Sequence, residues 1–207
     1  MTSVRSPSLS AALSRLAEGK MVLITGDALR GGDIDLVIPA RFADAAAINF
    51  LACHARGLIC LALPPERALR MGIALLNSGR ERQSGRPFGQ SIEAAKGVTT
   101  GISAADRART VAVAIDPANS ASDLISPGHV FPLIARGRGV RERAGAVEAA
   151  IDLCRMAQVG EAAVMSAVLR EDGDTARAED IGDLLAAHGI VSVDIADVQA
   201  ALSDGSE

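Results

Sequence analysis

Every long apolar run in this chain stops at strand length: MVLIT at 21–25, LVIPA at 36–40, GLICLAL at 57–63, VFPLIA at 130–135 and AVMSAVL at 163–169. Apolar runs this short, bounded by turn-forming residues, read as buried strands. The longest, GLICLALPP, ends in two prolines, and none approaches the roughly 20 residues that a membrane-spanning helix requires. Between the runs lie stretches of helical spacing at 8–18, 43–54, 146–157, 178–188 and 195–202. A further helix is predicted to open at Ser103-Ala104-Ala105-Asp106, a capping box, and to run to about 115. One more strand is expected at 190–194, and SIEA at 91–94 begins a strand region. Strands and helices alternate without internal repeats, which predicts an α/β (α+β) fold: a layered single domain with a mixed sheet over residues 8–202. Residues 1–7 and 203–207 read as loose tails. The stretch 64–90 is the least regular and reads as a mobile surface loop, 116–129 as loop, and 136–145 as a basic turn region.

Composition narrows the partners. Nearly half of the 207 residues are apolar, enough for a substantial core, while Trp and Tyr are absent and Phe occurs four times. Net charge is -4. Neither an aromatic platform for bases nor a general electrostatic grip on nucleic acid is present, so no nucleic-acid partner is expected. Three scattered cysteines, Cys53, Cys60 and Cys154, suit neither a disulfide framework nor a zinc cluster and read as reduced packing thiols. The polar start and the lack of a long apolar run predict a cytoplasmic protein with no membrane partner.

Three segments carry chemistry. GVTTGISAADRARTV, 97–111, sets Thr99 and Thr100 between glycines at a helix start, where exposed amides and hydroxyls suit an anion. An ordinary cap with no ligand accounts for the same residues. PGHVFPL, 127–133, places His129 between a turn and a strand, a position that is more often structural. RERAGAVEAAIDL, 141–153, sets Arg141 and Arg143 before a helix whose first turn holds Glu148. Such arginines can clamp a phosphate, or simply face water.

In this order, with the H-x-x-GL-x-C strand from His54 to Cys60, EAAKGVTTGISAADR, SDLISPGHVFPL, EAAIDL and DGDTAR, the chain resembles the 3,4-dihydroxy-2-butanone 4-phosphate synthase family of riboflavin biosynthesis over roughly residues 9 to 200. The resemblance implies a layered α/β homodimer with active sites at the subunit interface. It also implies a lyase that takes ribulose 5-phosphate through an enediol to formate and a four-carbon phosphate. In that reaction a magnesium (or manganese) ion polarises substrate oxygens and acidic side chains move protons. The second domain of the fused riboflavin enzymes, GTP cyclohydrolase II, is not expected here.

This sequence departs from the family pattern selectively. The acidic loop D-D-x-D-R-E-N-E-G-D reads Gly26-Asp27-Ala28-Leu29-Arg30-Gly31-Gly32-Asp33-Ile34-Asp35, which puts Gly31 where the family has a metal-binding glutamate. R-G-G-H-T-E-A reads Arg143-Ala144-Gly145-Ala146-Val147-Glu148-Ala149, with Ala146 in place of the second metal ligand, a histidine, and Val147 in place of a threonine. In C-E-(I/L)-x-x-x-D-G, read here as Ser166 to Gly173, the catalytic glutamate is Ala167. Gly and Ala offer a hard cation no side-chain donor. The resemblance therefore implies no metal site, with Mg2+ or Mn2+ expected only if the synthase reaction survives on Asp27, Asp33 and Asp35, the remnant acidic residues. Arg30, Thr99, Thr100, His129 and Arg143 remain as substrate-binding candidates for a phosphorylated small molecule. The basic loop 80–86, with Arg138 to Arg143, would also suit a more anionic ligand. A homodimer is expected, or a heterodimer with an active relative that supplies the missing groups.

Overall fold

The computed structural model describes residues 6–76 and 85–203. The strands are β1 (Val22–Asp27), β2 (Asp33–Pro39), β3 (Cys60–Leu63), β4 (Ile92–Ala94), β5 (Leu124–Ile134), β6 (Ala163–Ala167) and β7 (Val191–Asp194). They form one mixed sheet in the order β4-β5-β3-β6-β2-β1-β7. β1 runs antiparallel to β2 and parallel to β7, while β3 runs parallel to β5 and antiparallel to β6.

The short apolar runs are apolar throughout because both faces of the sheet are covered. Side chains alternate strictly between two cores. Val22, Ile24, Val37, Cys60, Ala62, Ala163 and Met165 face one, together with α1 (Pro7–Ala17), α5 (Ala146–Met156) and α7 (Ile195–Ser203). Leu23, Leu36, Ile38, Leu61, Leu63 and Val164 face the other, against α2 (Ala45–Phe50), α3 (Pro65–Arg70) and α4 (Ala104–Ile115), with α6 (Gly182–His188) at its margin. The chain is thus a single three-layer domain.

Local rules set the helix starts. Ser6 Oγ accepts from the Leu9 amide and Pro7 occupies the first helical position of α1. Asp44 caps α2, and Ser103 Oγ accepts from the Asp106 amide to open α4, the first half of the expected capping box, while the Asp106 carboxylate accepts from Thr99 and Gly101.

Several expectations are corrected. Pro7 and Ser203 belong to helices rather than tails; residues 1–5 and 204–207 lie outside the described residues. The segment 64–90 contains α3, and of the basic loop 80–86 only Gly85 and Arg86 fall within the described residues. The expected loop 116–129 ends early, because β5 begins at Leu124 and pairs with Glu93 and Ala94 of β4. Pro127 and Gly128 sit at an exposed sheet margin, where a residue without an amide proton is tolerated. The helix 43–54 changes after Phe50 into a π turn, Leu51–Ala55. Of the cysteines, Cys60 and Cys154 are buried and Cys53 is exposed.

Leu61 is fully buried on β3, between β5 and β6. Leu61→Ala is expected to lower unfolding free energy by about 2–5 kcal/mol in urea titration. Leu69→Ala, at a position 82% exposed, should change it by less than about 0.5 kcal/mol.

Candidate active site

The β1–β2 connection delivers three carboxylates to one end of the central strands. Asp27 ends β1, and its Oδ1 accepts the Leu29 amide at 3.1 Å, closing the 3-10 turn Ala28–Arg30. Its Oδ2 accepts the Ala146 amide at 3.2 Å. Gly145 has no side chain with which to cap α5, so Asp27 caps that helix from across the fold. Asp33 and Asp35 open β2, and Asp35 is fully buried.

Arg30 returns from the turn into the middle of these acids. Its Nη1 donates to Asp35 at 2.9 Å, Nη2 lies 3.2 Å from Asp33, and Nε lies 3.6 Å from Asp27. Two further guanidiniums close the cluster: Arg86 donates to the second Asp35 oxygen, and Arg177 Nη1 donates to Asp33 at 2.6 Å. Three carboxylates thus face three arginines. Burial is the largest single influence and opposes the Arg86 charge, but Asp35, Cys60 and Asp27 together hold the guanidinium above the ordinary arginine value. Cys60 lies in the same field, and burial pushes its thiol up to about 12 despite the nearby Arg86, so it stays protonated at neutral pH.

Arg143 sits alongside. Its Nη1 donates to Glu148 at 3.2 Å and its Nη2 to the Gly85 carbonyl at 2.7 Å. Glu148 is fully buried and also accepts the Arg136 amide at 3.1 Å. Burial pushes its carboxyl above the ordinary value, with Arg143 pulling the other way.

Thr99, Thr100 and His129 form a second group, on the loop leading into α4 and the β4–β5 margin. Asp106 accepts the Thr99 hydroxyl at 2.8 Å, the Thr99 amide at 3.2 Å and the Gly101 amide at 3.1 Å. The Thr99 hydroxyl, more than any other contact, holds this carboxyl below its usual value. The donors that the sequence offers to an anion are in part turned inward to Asp106, while Thr100 remains exposed. His129 Nδ1 lies 2.8 Å from Glu93 Oε2. Gly101, at φ +83°, is required there, because a Cβ would overlap the Glu93 carboxylate.

The residues present do not fit a magnesium centre of the kind the resemblance implies. Magnesium demands near-octahedral oxygen ligands at about 2.0–2.1 Å, and the carboxylates of Asp27, Asp33 and Asp35 already face guanidinium groups. Gly31, Ala146 and Ala167 add no donors. Among the described residues, no group of three or more His, Cys, Asp or Glu side chains is placed to hold an ion. Of this cluster, sequence reasoning singled out the aspartates and Arg30 but missed the partners. Arg86 lay within a basic run that reads as solvated, Arg177 in DGDTAR was noted only as family pattern, and Glu93 carried no signal in SIEA.

A three-layer α/β domain with charged side chains gathered where its central strands begin or end defines a class of enzyme-like scaffolds with a polar site at the sheet edge. Comparison narrows the class. The family model for 3,4-dihydroxy-2-butanone 4-phosphate synthase matches residues 10–201. A Chromobacterium violaceum protein of that name is 36% identical over 197 residues, covering 95% of this chain and 94% of the relative. A Pseudomonas aeruginosa protein of the same name is 44% identical over 183 residues, 88% of this chain and 50% of the relative. The chain spans about half the length of several such relatives. Among solved structures, a two-domain synthase from A. baumannii superposes with a TM-score of 0.89 at 35% identity, over 96% of this chain and 59% of that one. Another synthase, solved in complex with two magnesium ions, has a TM-score of 0.89 at 29% identity, over 95% and 97% of the two chains. The chain belongs to the 3,4-dihydroxy-2-butanone 4-phosphate synthase family, a family of riboflavin biosynthesis.

Removing Arg30 strips the shared partner from three acids, one of them fully buried, so Arg30→Ala should cost about 3–5 kcal/mol. Arg86→Ala leaves Asp35 with Arg30 and should cost about 1–3 kcal/mol in the same urea titrations. Glu148 has a raised folded-state pKa, so the stability linked to its proton is present below its ordinary value of 4.5 and is lost as pH rises through the folded value. Glu148→Gln removes that proton, and the variant should gain on the unmodified protein in urea midpoints as pH is raised from about 4 to about 7.

Proposed function

We propose that this chain is a sugar-phosphate-binding member of its family in which the metal-dependent lyase reaction is lost or strongly impaired. The carrying observation is the charge balance at the strand ends, where Asp27, Asp33 and Asp35 face Arg30, Arg86 and Arg177. Abstraction of a proton beside a carbonyl needs a base that can take it and a positive centre that stabilises the enediolate. Guanidinium groups supply charge but exchange no proton near neutral pH. Glu148 is committed to Arg143 and the Arg136 amide, and the Cys60 thiol is held protonated. An end of the sheet rich in arginine still suits a phosphate, with Arg143 as the principal donor and ribulose 5-phosphate as the ligand class.

The proposal extends to assembly. The Thr99–Thr100–His129 group and the Arg30–Arg143 group stand on different elements of one protomer. A homodimer that set one group against the other would complete a phosphate site. A heterodimer with a relative that retains the two replaced glutamates and the histidine would complete a catalytic one.

A second reading, an active synthase, is favoured by the 36% identity with the Chromobacterium violaceum relative along nearly the whole of both chains. Formate release from ribulose 5-phosphate separates the two. The expected rate, with or without magnesium, is more than about a hundredfold below that of a relative assayed in parallel, since groups that act as a unit fail together. Calorimetry should show that ribulose 5-phosphate binds, and that Arg143→Gln weakens it about tenfold or more. Formate released at the relative's rate would instead establish the active-synthase reading.

A further inference from the structure

The opposite end of the same central strands holds a cleft of about 780 Å3. It opens where β2 runs out into Ala40 and Arg41, β3 into Pro64, and β6 is entered through Ala162. By strand rise this is about 15–20 Å from the Asp27–Asp35 cluster. Four arginines line it, Arg41, Arg67, Arg70 and Arg155, against two acids, Glu66 and Glu161. The wall therefore carries a net positive charge in a chain whose net charge is -4.

The arginines are not equally engaged. Arg155 is paired, with Glu161 at 2.8 Å and Asp152 at 3.5 Å. Arg67 donates to the Ala114 and Asp116 carbonyls at 2.7 and 2.5 Å, and Arg70 to the Pro117 carbonyl at 2.5 Å. These bonds cap the C-terminus of α4 and so have a structural purpose, but carbonyls are neutral, and the opposing carboxylate of Asp116 is the smallest influence on Arg67. The Arg41 guanidinium lies 5.3 Å from the centre of the Phe42 ring. Among the described residues, no carboxylate pairs with Arg41, Arg67 or Arg70. Burial first, and the like charge of Arg70 second, push Arg67 below the ordinary arginine value, with Asp116 pulling the other way. The remainder is apolar, with Ile115, Pro117 and Val159 facing the same space.

We infer that this cleft is a binding site for an organic pyrophosphate of nucleoside diphosphate size, separate from the site at the other end of the strands. Three unpaired guanidiniums fit a multiply charged phosphate better than a single carboxylate. The volume lies within the range of small-ligand sites, and the apolar wall takes the body of the ligand. A chain without Trp or Tyr can still stack a base on the flat face of an arginine.

ADP and inorganic pyrophosphate serve as probes in titration calorimetry of the whole chain. ADP is expected to bind saturably below about 1 mM and more tightly than pyrophosphate, and its affinity should fall as salt is raised. Arg41→Ser and Arg70→Ser, which leave the Arg67 bonds to α4 intact, should each weaken ADP about fivefold or more, with circular dichroism confirming the fold. Arg143→Gln should leave ADP affinity unchanged. The proposal is overturned by an absence of ADP binding to the unmodified protein, by affinity unchanged in the Arg41→Ser/Arg70→Ser double variant, or by loss of ADP binding in Arg143→Gln.

Discussion

Arg30 is the interaction on which one end of the molecule depends. Three carboxylates that would otherwise repel one another inside the protein are gathered by a single guanidinium almost removed from solvent. Each carries a structural load. Asp27 closes the β1–β2 turn and caps α5. Asp33 ties in Arg177, from the segment after the DGD turn, and Asp35 anchors Arg86. Four separate segments therefore meet around one positive charge, and the geometry of any ligand site there is set by it.

This arrangement differs in kind from a metal centre. A divalent ion concentrates charge at a point, polarises what it touches and exchanges ligands with substrate. A guanidinium spreads its charge over a plane and directs fixed hydrogen bonds. The family scaffold is retained, with its seven-stranded sheet and alternating cores, and the carboxylates of the loop face arginines. Phosphate recognition needs directed donors, whereas enediol formation needs a polarising centre and a base.

Most of the architecture was legible in the sequence because its signals are local. Strand-length apolar runs follow from burial on both faces, and Ser103 with Asp106 announced α4. The site was only half legible because its partners are remote. Asp35 meets an arginine 51 positions away, and His129 meets a glutamate 36 positions away. Arg86, read with RERQSG, looks like one of several solvated charges, and only the tertiary fold selects it for burial. The beginning of β5 was hidden for another reason: Ser126, Pro127 and Gly128 have turn chemistry and form an irregularity inside the strand, between the pairs Glu93–Ile125 and Ile92–Val130, rather than a loop before it.

Gly31 carries one more consequence. It sits at φ +67° in open space, where a side chain would meet no neighbour but the backbone disfavours any residue with a Cβ. A glutamate regained there would start from a strained conformation and arrive at carboxylates already neutralised by arginine. A carboxylate at this position would therefore need a change in the turn itself, and not in the side chain alone.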